Sequence, residues 1–245
     1  MKSELNSTGP TREAETPWGG MSAMAEASRF GAFVGMMMMM FVMAIAYFVV
    51  NEIAAARGVT VFDPAQFFVV GGRTLDSRIP YLPWAVMIYK PLFGAFYWLT
   101  IFVYPKTKSG ARDLFRLYNG VIGVTLAACV VFLLCPVEMT LRVGDEYQGD
   151  ATLMHSFNQI LHATDRPFNT WPCLHVAQTG LISLAVARWL GQWQWTVLLW
   201  IAWTALAIST LTTKQHFIWD IVTGLPLALV WWHWRLRQPS AGTLA

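Results

Sequence analysis

The sequence predicts an all-α membrane protein, a polytopic bundle of six transmembrane helices. Of its 245 residues, 56% are hydrophobic and 13% are charged, and thirteen are tryptophan. The mean hydropathy is positive, at +0.44. Because soluble domains carry about 25% charged residues, this composition indicates a chain that is embedded in a bilayer.

Six apolar windows define the predicted helices. A helix needs about 20 mostly apolar residues to cross a membrane, and each window approaches or exceeds that length. Short polar gaps separate the last three windows, so these helices are predicted to be antiparallel neighbours. Two longer connections, 51–79 and 137–172, are predicted to lie outside the membrane on the same side. The windows cover residues 30–50, 80–104, 118–136, 173–190, 194–213 and 216–234.

One domain, residues 30–236, is predicted between two tails. Residues 1–29 are rich in Ser, Thr, Glu, Gly and Ala without apolar periodicity, which predicts a disordered cytoplasmic tail. Residues 237–245 form a second, short cytoplasmic tail. The first apolar window is too long, and too far from the start, for a signal peptide, so it is predicted to be a retained helix.

The distribution of lysine and arginine predicts the orientation. Positive charge collects in short cytoplasmic segments, which favours both termini in the cytoplasm of a plasma or inner membrane, with the long connections outside. The basic residues are spread over the loops, so the net charge of +3 gives no indication of nucleic-acid binding. The predicted inner residues are Lys2, Arg12, Arg29, Lys106, Lys108, Arg112, Arg116, Arg188, Arg235 and Arg237, and the outer ones are Arg57, Arg73, Arg78, Arg142, Arg166 and Lys214.

Cysteine and histidine spacing does not indicate a metal site. Cys129, Cys135 and Cys173 form no CxxC pair, and no two histidines stand at the i, i+4 spacing of a helical zinc site. The sequence therefore predicts neither a metal nor another cofactor.

Polar residues at the outer ends of two predicted helices indicate a catalytic site. His175 follows Pro172 in "WPCLHVAQTG", in the first turn of the fourth helix, where free N–H groups favour an anion. His216 and Asp220 form an i, i+4 pair at the start of the sixth helix. A carboxylate there can orient one ring nitrogen and leave the other free to attack. A carboxylate inside a membrane helix is costly and usually functional.

Several cations accompany these groups on the predicted outer face. Lys214 stands two residues before His216, and Arg142 and Arg166 belong to the connection between the third and fourth helices. Two histidines, a carboxylate and several cations on one face are typical of a phosphate-handling site. Lys90 lies within the second helix. Its side chain either lines the same cavity, extends to the membrane surface, or pairs with a neighbouring residue of its helix.

The motifs resemble those of the type 2 phosphatidic acid phosphatase superfamily of membrane lipid phosphatases and phosphotransferases. "PCLH" (172–175) is similar to its Pro-Ser-Gly-His motif, and "KQHFIWD" (214–220) is similar to the end of its motif Ser-Arg, five residues, His, three residues, Asp. The stretch "DRPFNTWPCLHVA" resembles the branch that contains inositol phosphorylceramide synthases. The resemblance covers residues 80 to 234.

The chain departs from the family pattern at three places. Cys173 replaces the serine of the second motif, and Leu174 replaces its glycine. The arginine of the third motif is Thr210, so Lys214 is the candidate for that charge, without the bidentate geometry of arginine. The first motif, with its lysine and arginine, is absent. Arg142 and Arg166 are the candidate phosphate clamps in its place.

The resemblance implies metal-free covalent catalysis on a phosphorylated lipid. His216 would attack phosphorus while Asp220 orients it, and His175 would protonate the leaving oxygen and then activate the acceptor. Phosphate-binding roles fall to Arg142, Arg166, Lys214 and Cys173. The leading interpretation is a phosphatase acting on phosphatidic acid or a polyprenyl phosphate. Head-group transfer to an alcohol and a non-catalytic lipid-binding protein stay open as alternatives.

Overall fold

The computed structural model describes residues 19–144, 147 and 152–237, and most of these residues are helical. In chain order the helices are α1 (Gly19–Ala27), α2 (Arg29–Arg57), α3 (Leu75–Arg78), α4 (Val86–Val103), α5 (Lys108–Leu134), α6 (Thr152–Thr164), α7 (Leu174–Leu190), α8 (Trp193–Thr212) and α9 (Ile218–Trp231).

Short elements complete the fold between the helices. An antiparallel hairpin pairs β1 (Val69–Val70) with β2 (Arg73–Thr74) in the connection between α2 and α4. Single 3-10 turns occupy Pro64–Phe67 and Pro83–Ala85, and the second of these leads directly into α4. A five-residue π-helix, Trp232–Leu236, extends α9.

Within the described residues, four helices are long and apolar enough to cross a membrane. They are α2, α4 with its leading 3-10 turn, α5 and α8. Large apolar side chains such as Phe41, Phe102 and Ile201 are exposed on these helices. A bilayer covers such surfaces, whereas water would not favour them. The protein is therefore a helical membrane protein.

The other two predicted spans correspond to shorter helices. Helix α7 has 17 residues and α9 has 14, so both are shorter than the roughly 20 residues that a lipid-facing span needs. Helix α9 contains Pro226 and passes into the π-helix, which adds residues with a different backbone geometry. The arrangement of six transmembrane helices thus stays a prediction for α7 and α9.

Helix α7 occupies the centre of the bundle, packed against α4, α5, α8 and α9. It presents small buried residues such as Ala177 and Gly180, which let neighbouring helices approach closely. Buried hydrogen bonds fix its position. Tyr97 Oη donates to Gln178 Oε1 at 2.7 Å, and Gln178 Nε2 donates to Thr125 Oγ1 at 2.7 Å.

Helix α9 crosses the beginning of α7 at Gly224. A Cβ atom at this position would lie 2.6 Å from the carbonyl oxygen of Cys173, which is closer than two such atoms can pack. The contact brings the two helix starts together, and the amide of Cys173 donates to the carbonyl of Asp220 at 3.1 Å. The absence of a side chain at Gly224 therefore helps to place two elements of the candidate site.

The amino-terminal segment differs from the sequence prediction over residues 19–27. This stretch was predicted to belong to a disordered tail of residues 1–29, but it forms α1. Helix α1 packs against α2 and α5, Ala25 is fully buried, and its carbonyl accepts a hydrogen bond from Tyr104 Oη at 2.6 Å. Tertiary contacts stabilise a segment whose own sequence lacks an apolar stripe. Residues 1–18 of the first tail, and residues 238–245 of the second tail, lie outside the described residues.

The two long connections lie together at one end of the bundle. The amide of Val61 donates to the carbonyl of Pro136 at 3.0 Å, and the amide of Glu138 donates to Thr60 Oγ1 at 3.0 Å. This contact agrees with the prediction that both connections are on the same side. Together they cover the starts of α7 and α9.

Candidate active site

His175 lies in the first turn of α7, as the sequence predicted. Its ring bridges two partners: Nδ1 is 2.9 Å from Nε2 of His216, and Nε2 is 2.5 Å from the hydroxyl oxygen of Tyr89. The ring of Phe93 packs edge-on against it, with centroids 4.7 Å apart. The fold thus brings together two histidines that are 41 residues apart in sequence.

His216 is held just before α9 rather than on the helix. The sequence predicted that His216 and Asp220 share a helix face, but α9 begins at Ile218 and Phe217 is its N-cap. The Asp220 carboxylate turns back to accept the amide of Phe217 at 2.8 Å through Oδ2. This cap fixes the amino-terminal end of α9, so His216 lies just outside the helix. The same oxygen, Asp220 Oδ2, lies 3.4 Å from Nδ1 of His216.

A backbone carbonyl is the closer partner of the same nitrogen. His216 Nδ1 is 2.9 Å from the carbonyl oxygen of Thr170, which sequence motifs did not identify. With two oxygen acceptors beside it, Nδ1 carries the proton, and Nε2 presents its lone pair towards His175.

One set of tautomers satisfies the whole chain of contacts. Tyr89 Oη–H donates to His175 Nε2, His175 Nδ1–H donates to His216 Nε2, and His216 Nδ1–H donates to the carbonyl of Thr170. Sequence reasoning missed Tyr89 because a tyrosine in an apolar helix is most often a core residue. Its position immediately before Lys90 was the one available signal.

Cys173 lies beside both histidines. The residue is fully buried as the N-cap of α7. Its sulfur and one ring nitrogen each of His175 and His216 lie within 4.8 Å of one another. The fold therefore assembles a potential Cys-His-His ligand set from two separate segments, although the linear spacing gave no indication of one.

A cavity of about 240 Å³ opens from His175 between α2, α4 and α6. Its wall is largely apolar, and its polar groups include Lys90 and Asp165. Lys90 also lies over the ring of Tyr89, with Nζ 4.9 Å from the centroid. The lining residues are Met40, Met43, Ala44, Tyr47, Phe48, Tyr89, Lys90, Phe93, Tyr97, Thr125, Leu161, Thr164, Asp165, Leu174, His175 and Gln178.

Asp165 anchors the mouth of this cavity. Its Oδ1 accepts hydrogen bonds from Tyr47 Oη at 2.8 Å and from Asn51 Nδ2 at 2.9 Å, both on α2, and Asn169 Nδ2 lies 3.4 Å away. The carboxylate thereby ties α2 to the segment that leads into α7. The sequence analysis did not single out this residue.

Arg142 lies close to the cavity mouth. Its Nη1 donates to the carbonyl oxygen of Asp165 at 2.6 Å and, more weakly, to that of His162 at 3.3 Å. The guanidinium thus holds the backbone of the residue whose side chain lines the cavity. Burial beside Arg142 lowers the pKa of His162 to about 4, so this imidazole is neutral at physiological pH.

The other two predicted clamps engage protein groups elsewhere. Lys214 is buried, and its Nζ donates to the carbonyl oxygens of Asp76 at 3.1 Å and Ile79 at 2.7 Å. Burial lowers the pKa of this amine. Arg166 Nε donates to Glu52 Oε1 at 3.2 Å on the exposed surface. Neither cation belongs to the cavity lining given above for the described part of the chain.

Asp76, in α3, connects the segment between α2 and α4 to the start of α9. Its Oδ1 accepts the amide of Ile218 at 2.8 Å, and burial raises the pKa of this carboxyl group. Two carboxylates, Asp76 and Asp220, therefore occupy amide donors at the start of α9. The start of α7 carries no such carboxylate among the hydrogen bonds of the described residues, so it is the better place for an anionic ligand.

These features define an integral membrane protein with two paired histidines at the loop-covered end of a helical bundle. Comparison with protein families matches residues 72–234, about two thirds of the chain, to the PAP2 superfamily. The chain belongs to this superfamily, and its membership supports a phosphatase-type function on lipid phosphates in general. A search of curated proteins found no significant match.

Proposed function

We propose that the protein is a membrane phosphatase that removes phosphate from a phosphorylated lipid through a phosphohistidine on His216. The pair of contacts at its imidazole is the observation that carries this proposal. Nδ1 is held by the Thr170 carbonyl at 2.9 Å, and Nε2 faces His175 at 2.9 Å. A ring fixed in this way presents an unprotonated nitrogen next to an N–H donor, which is the arrangement that nucleophilic attack with acid catalysis requires.

The first half-reaction transfers the phosphoryl group to the protein. Nε2 of His216 forms a bond to phosphorus while the bond from phosphorus to the lipid oxygen breaks. The lipid phosphate, bound as its monoanion, gives a second proton to His175, whose Nε2–H then donates to the Tyr89 hydroxyl. His175 gives its Nδ1 proton to the lipid oxygen and becomes a neutral ring, so the lipid leaves as an alcohol. The two rings have to separate to admit the phosphoryl group, because their hydrogen bond occupies its place when no substrate is bound. Asp220 and the Thr170 carbonyl stabilise the positive charge that develops on His216.

The second half-reaction releases phosphate. His175 Nδ1, now unprotonated, takes a proton from water as the water oxygen attacks phosphorus. The bond between phosphorus and Nε2 breaks, and its electron pair returns to the imidazole. His175 returns the extra proton to inorganic phosphate as the phosphate leaves, and both histidines regain their starting protonation states.

Several groups are proposed to balance the charge of the phosphoryl oxygens. The backbone N–H groups of the first turn of α7, starting beside Cys173, have no partner within the helix. Lys90 lines the cavity next to His175, and Arg142 holds its mouth. Arg166 and Lys214 are proposed as further clamps, but each would first have to leave its present partners.

The cavity suits a lipid whose phosphate reaches His175. Apolar residues such as Met43, Phe48 and Leu161 line it, and contacts of this kind favour hydrocarbon over water. We therefore propose that a lipid phosphomonoester or diphosphate, of the phosphatidic acid or polyprenyl phosphate type, enters between α2 and α4. The active site is proposed to face the outer or periplasmic side, with both termini in the cytoplasm.

Transfer of the phosphorylated group to an alcohol is the alternative reaction. The same phosphohistidine would accept a lipid or polyol hydroxyl in place of water. Asp165 and Lys90 in the cavity lining favour this alternative, because both are suited to hydrogen bonds with hydroxyl groups. The resemblance to the inositol phosphorylceramide synthase-like branch also supports it. The second alternative is a non-catalytic protein that binds lipid at this site.

Replacement of the proposed nucleophile tests the function. Purified protein is incubated with radiolabelled phosphatidic acid or polyprenyl phosphate, with and without candidate alcohols, and released phosphate and new lipid products are separated. His216→Ala should lower turnover at least about a thousandfold, because it removes the attacking atom. His233→Ala is the matched control, since His233 is exposed on the π-helix and contacts only the Leu229 carbonyl among the hydrogen bonds described.

The outcomes separate the alternatives. Labelled inorganic phosphate as the main product supports hydrolysis, and a labelled lipid that forms only with alcohol supports transfer. Near-normal turnover in His216→Ala would rule out this residue as the nucleophile. Lipid binding by the wild-type protein without any turnover would favour the non-catalytic alternative.

A further inference from the structure

The centre of the site offers three side chains that suit a soft metal ion. The sulfur of Cys173 and nitrogens of His175 and His216 lie within 4.8 Å of one another. Cys173 is fully buried and His216 is 6% exposed, so both are shielded from bulk water. Thiolate and imidazole are the ligands that zinc and cadmium prefer, and three protein ligands leave a fourth position open.

His216 is already oriented as a metal ligand would be. A ligating histidine usually donates its second N–H group to a carbonyl or carboxylate, which fixes the tautomer. Here Nδ1 lies 2.9 Å from the Thr170 carbonyl and 3.4 Å from Asp220 Oδ2. Its Nε2 therefore has a lone pair directed into the cluster.

His175 needs only a change of tautomer. Its Nδ1 faces His216, and its Nε2 lies beside the Tyr89 hydroxyl, which accepts as well as donates. With the proton on Nε2, Nδ1 is free to bind a cation. The two facing nitrogens are 2.9 Å apart, and a tetrahedral ion with Zn–N bonds of 2.0 to 2.1 Å needs about 3.3 Å, so a small separation of the rings is sufficient.

We propose that Cys173, His175 and His216 form a binding site for thiophilic divalent cations, and that occupation of this site blocks catalysis. The ion enters from the cavity, where Asp165 provides a carboxylate. It binds the Cys173 sulfur with release of the thiol proton. It also occupies the two nitrogens that the proposed function uses for attack and proton transfer. The inhibition therefore rests on the proposed function, whereas the binding does not.

Cadmium is the probe for the binding itself. Purified full-length protein is titrated with Cd²⁺, and the ultraviolet absorption of the cadmium–thiolate bond is recorded. The wild-type protein should bind one ion, and Cys173→Ser should lose the band and bind at least about tenfold more weakly. Cys135→Ser is the matched control, because Cys135 lies at the end of α5 and outside the cluster. It should retain the band.

A second variant keeps the thiol and removes a different ligand. His216→Ala retains Cys173 and should still weaken binding at least about tenfold. Thermal unfolding of each variant shows that it is folded. A band of the same strength and affinity in Cys173→Ser, or unchanged affinity in His216→Ala, would overturn the proposed ligand set. These readings need no enzymatic activity, so they stand even if the proposed function fails.

Activity measurements test the inhibition. Each variant is compared with its own metal-free rate, and Zn²⁺ or Cd²⁺ should inhibit wild type and Cys135→Ser at concentrations at least about tenfold lower than Cys173→Ser. EDTA should preserve activity, and vanadate should compete with the metal for the site. Loss of activity in EDTA that only zinc restores would make the ion a cofactor, and would contradict the inhibitory role.

Discussion

The hydroxyl group of Tyr89 is the second hydrogen-bond partner of the His175 ring. It lies 2.5 Å from Nε2, and Tyr89 is fully buried, so water does not replace this partner. When the hydroxyl donates, the proton of the neutral ring is on Nδ1, towards His216. In the proposed mechanism, Tyr89 is therefore a positioning residue that orients His175 towards His216.

Removal of this hydroxyl should slow the reaction. Tyr89→Phe keeps the ring that packs edge-on against His175 but deletes one hydrogen bond of about 1 to 1.5 kcal/mol. We expect kcat to fall about tenfold with little change in KM, measured as phosphate release over a range of lipid concentrations.

Tyr118→Phe is the control for loss of a buried hydroxyl. Tyr118 Oη lies 3.1 Å from Thr100 Oγ1 on the α4–α5 contact, and Tyr118 is not a cavity residue. This variant should lose thermal stability while it keeps kcat. Equal kcat values in Tyr89→Phe and wild type would show that the hydroxyl does not position His175.

Sequence motifs singled out the residues that the structure brings together in the candidate site, but not the groups that contact them. His175, His216 and Asp220 stand in short segments whose spacing is readable. The Thr170 carbonyl is a backbone group and carries no side-chain signal, and Tyr89 comes from a helix more than 80 residues away. Lys214 looked like a clamp because of its position beside His216. The positive φ of 56° at this residue accompanies a turn in which its amine binds two loop carbonyls.

At the scale of elements, the crossing of α7 and α9 sets the geometry of the site. Gly224→Ala would place a methyl group 2.6 Å from the Cys173 carbonyl, so α9 would have to move away from α7. We expect a loss of about 1 to 3 kcal/mol of stability. Activity should fall as well, because the displacement separates Asp220 and His216 from His175. Thermal unfolding and phosphate release measure the two effects.

A glycine without close neighbours provides the comparison. Gly94 lies within α4, and a Cβ there would meet nothing within 4 Å. Gly94→Ala should raise stability by up to about 1 kcal/mol through helix propensity and leave turnover unchanged. Should Gly224→Ala behave in the same way, the close approach of the two helices would not be what positions the site.

Element boundaries show where the sequence was informative. The long apolar windows at 30–50 and 194–213 correspond to α2 and α8, because hydrophobicity alone identifies a lipid-facing helix. The start of α9 was predicted two residues early. The window begins at His216, but the Asp220 carboxylate caps the helix at Phe217. Helix α1 was not predicted, since contacts with α2 and α5 stabilise it.

At the scale of the whole molecule, α7 differs from the lipid-facing helices. Its 17 residues span about 26 Å at 1.5 Å per residue, less than the roughly 30 Å of a bilayer core. Protein surrounds it on most sides, and the long connections cover its beginning. Backbone at membrane depth is tolerated where protein buries it, so a short central helix is compatible with a full crossing.

Labelling of single cysteines tests whether α7 crosses the membrane. With six spans and both termini inside, the connection between α2 and α4 lies outside, and the turns after α4 and after α7 lie inside. Exposed residues mark the three places: Ser77, Lys106 and Gln192. In a background with Cys129→Ser and Cys135→Ser, a membrane-impermeant maleimide should label Ser77→Cys in intact cells. It should label Lys106→Cys and Gln192→Cys only after lysis, while the buried Cys173 of the parent protein sets the background.

Labelling of Gln192→Cys in intact cells, with Lys106→Cys protected, would mean that α7 returns to the outer side, and the six-helix arrangement would be wrong. Labelling of Lys106→Cys but not Ser77→Cys in intact cells would reverse the orientation, and would place the histidines on the cytoplasmic face.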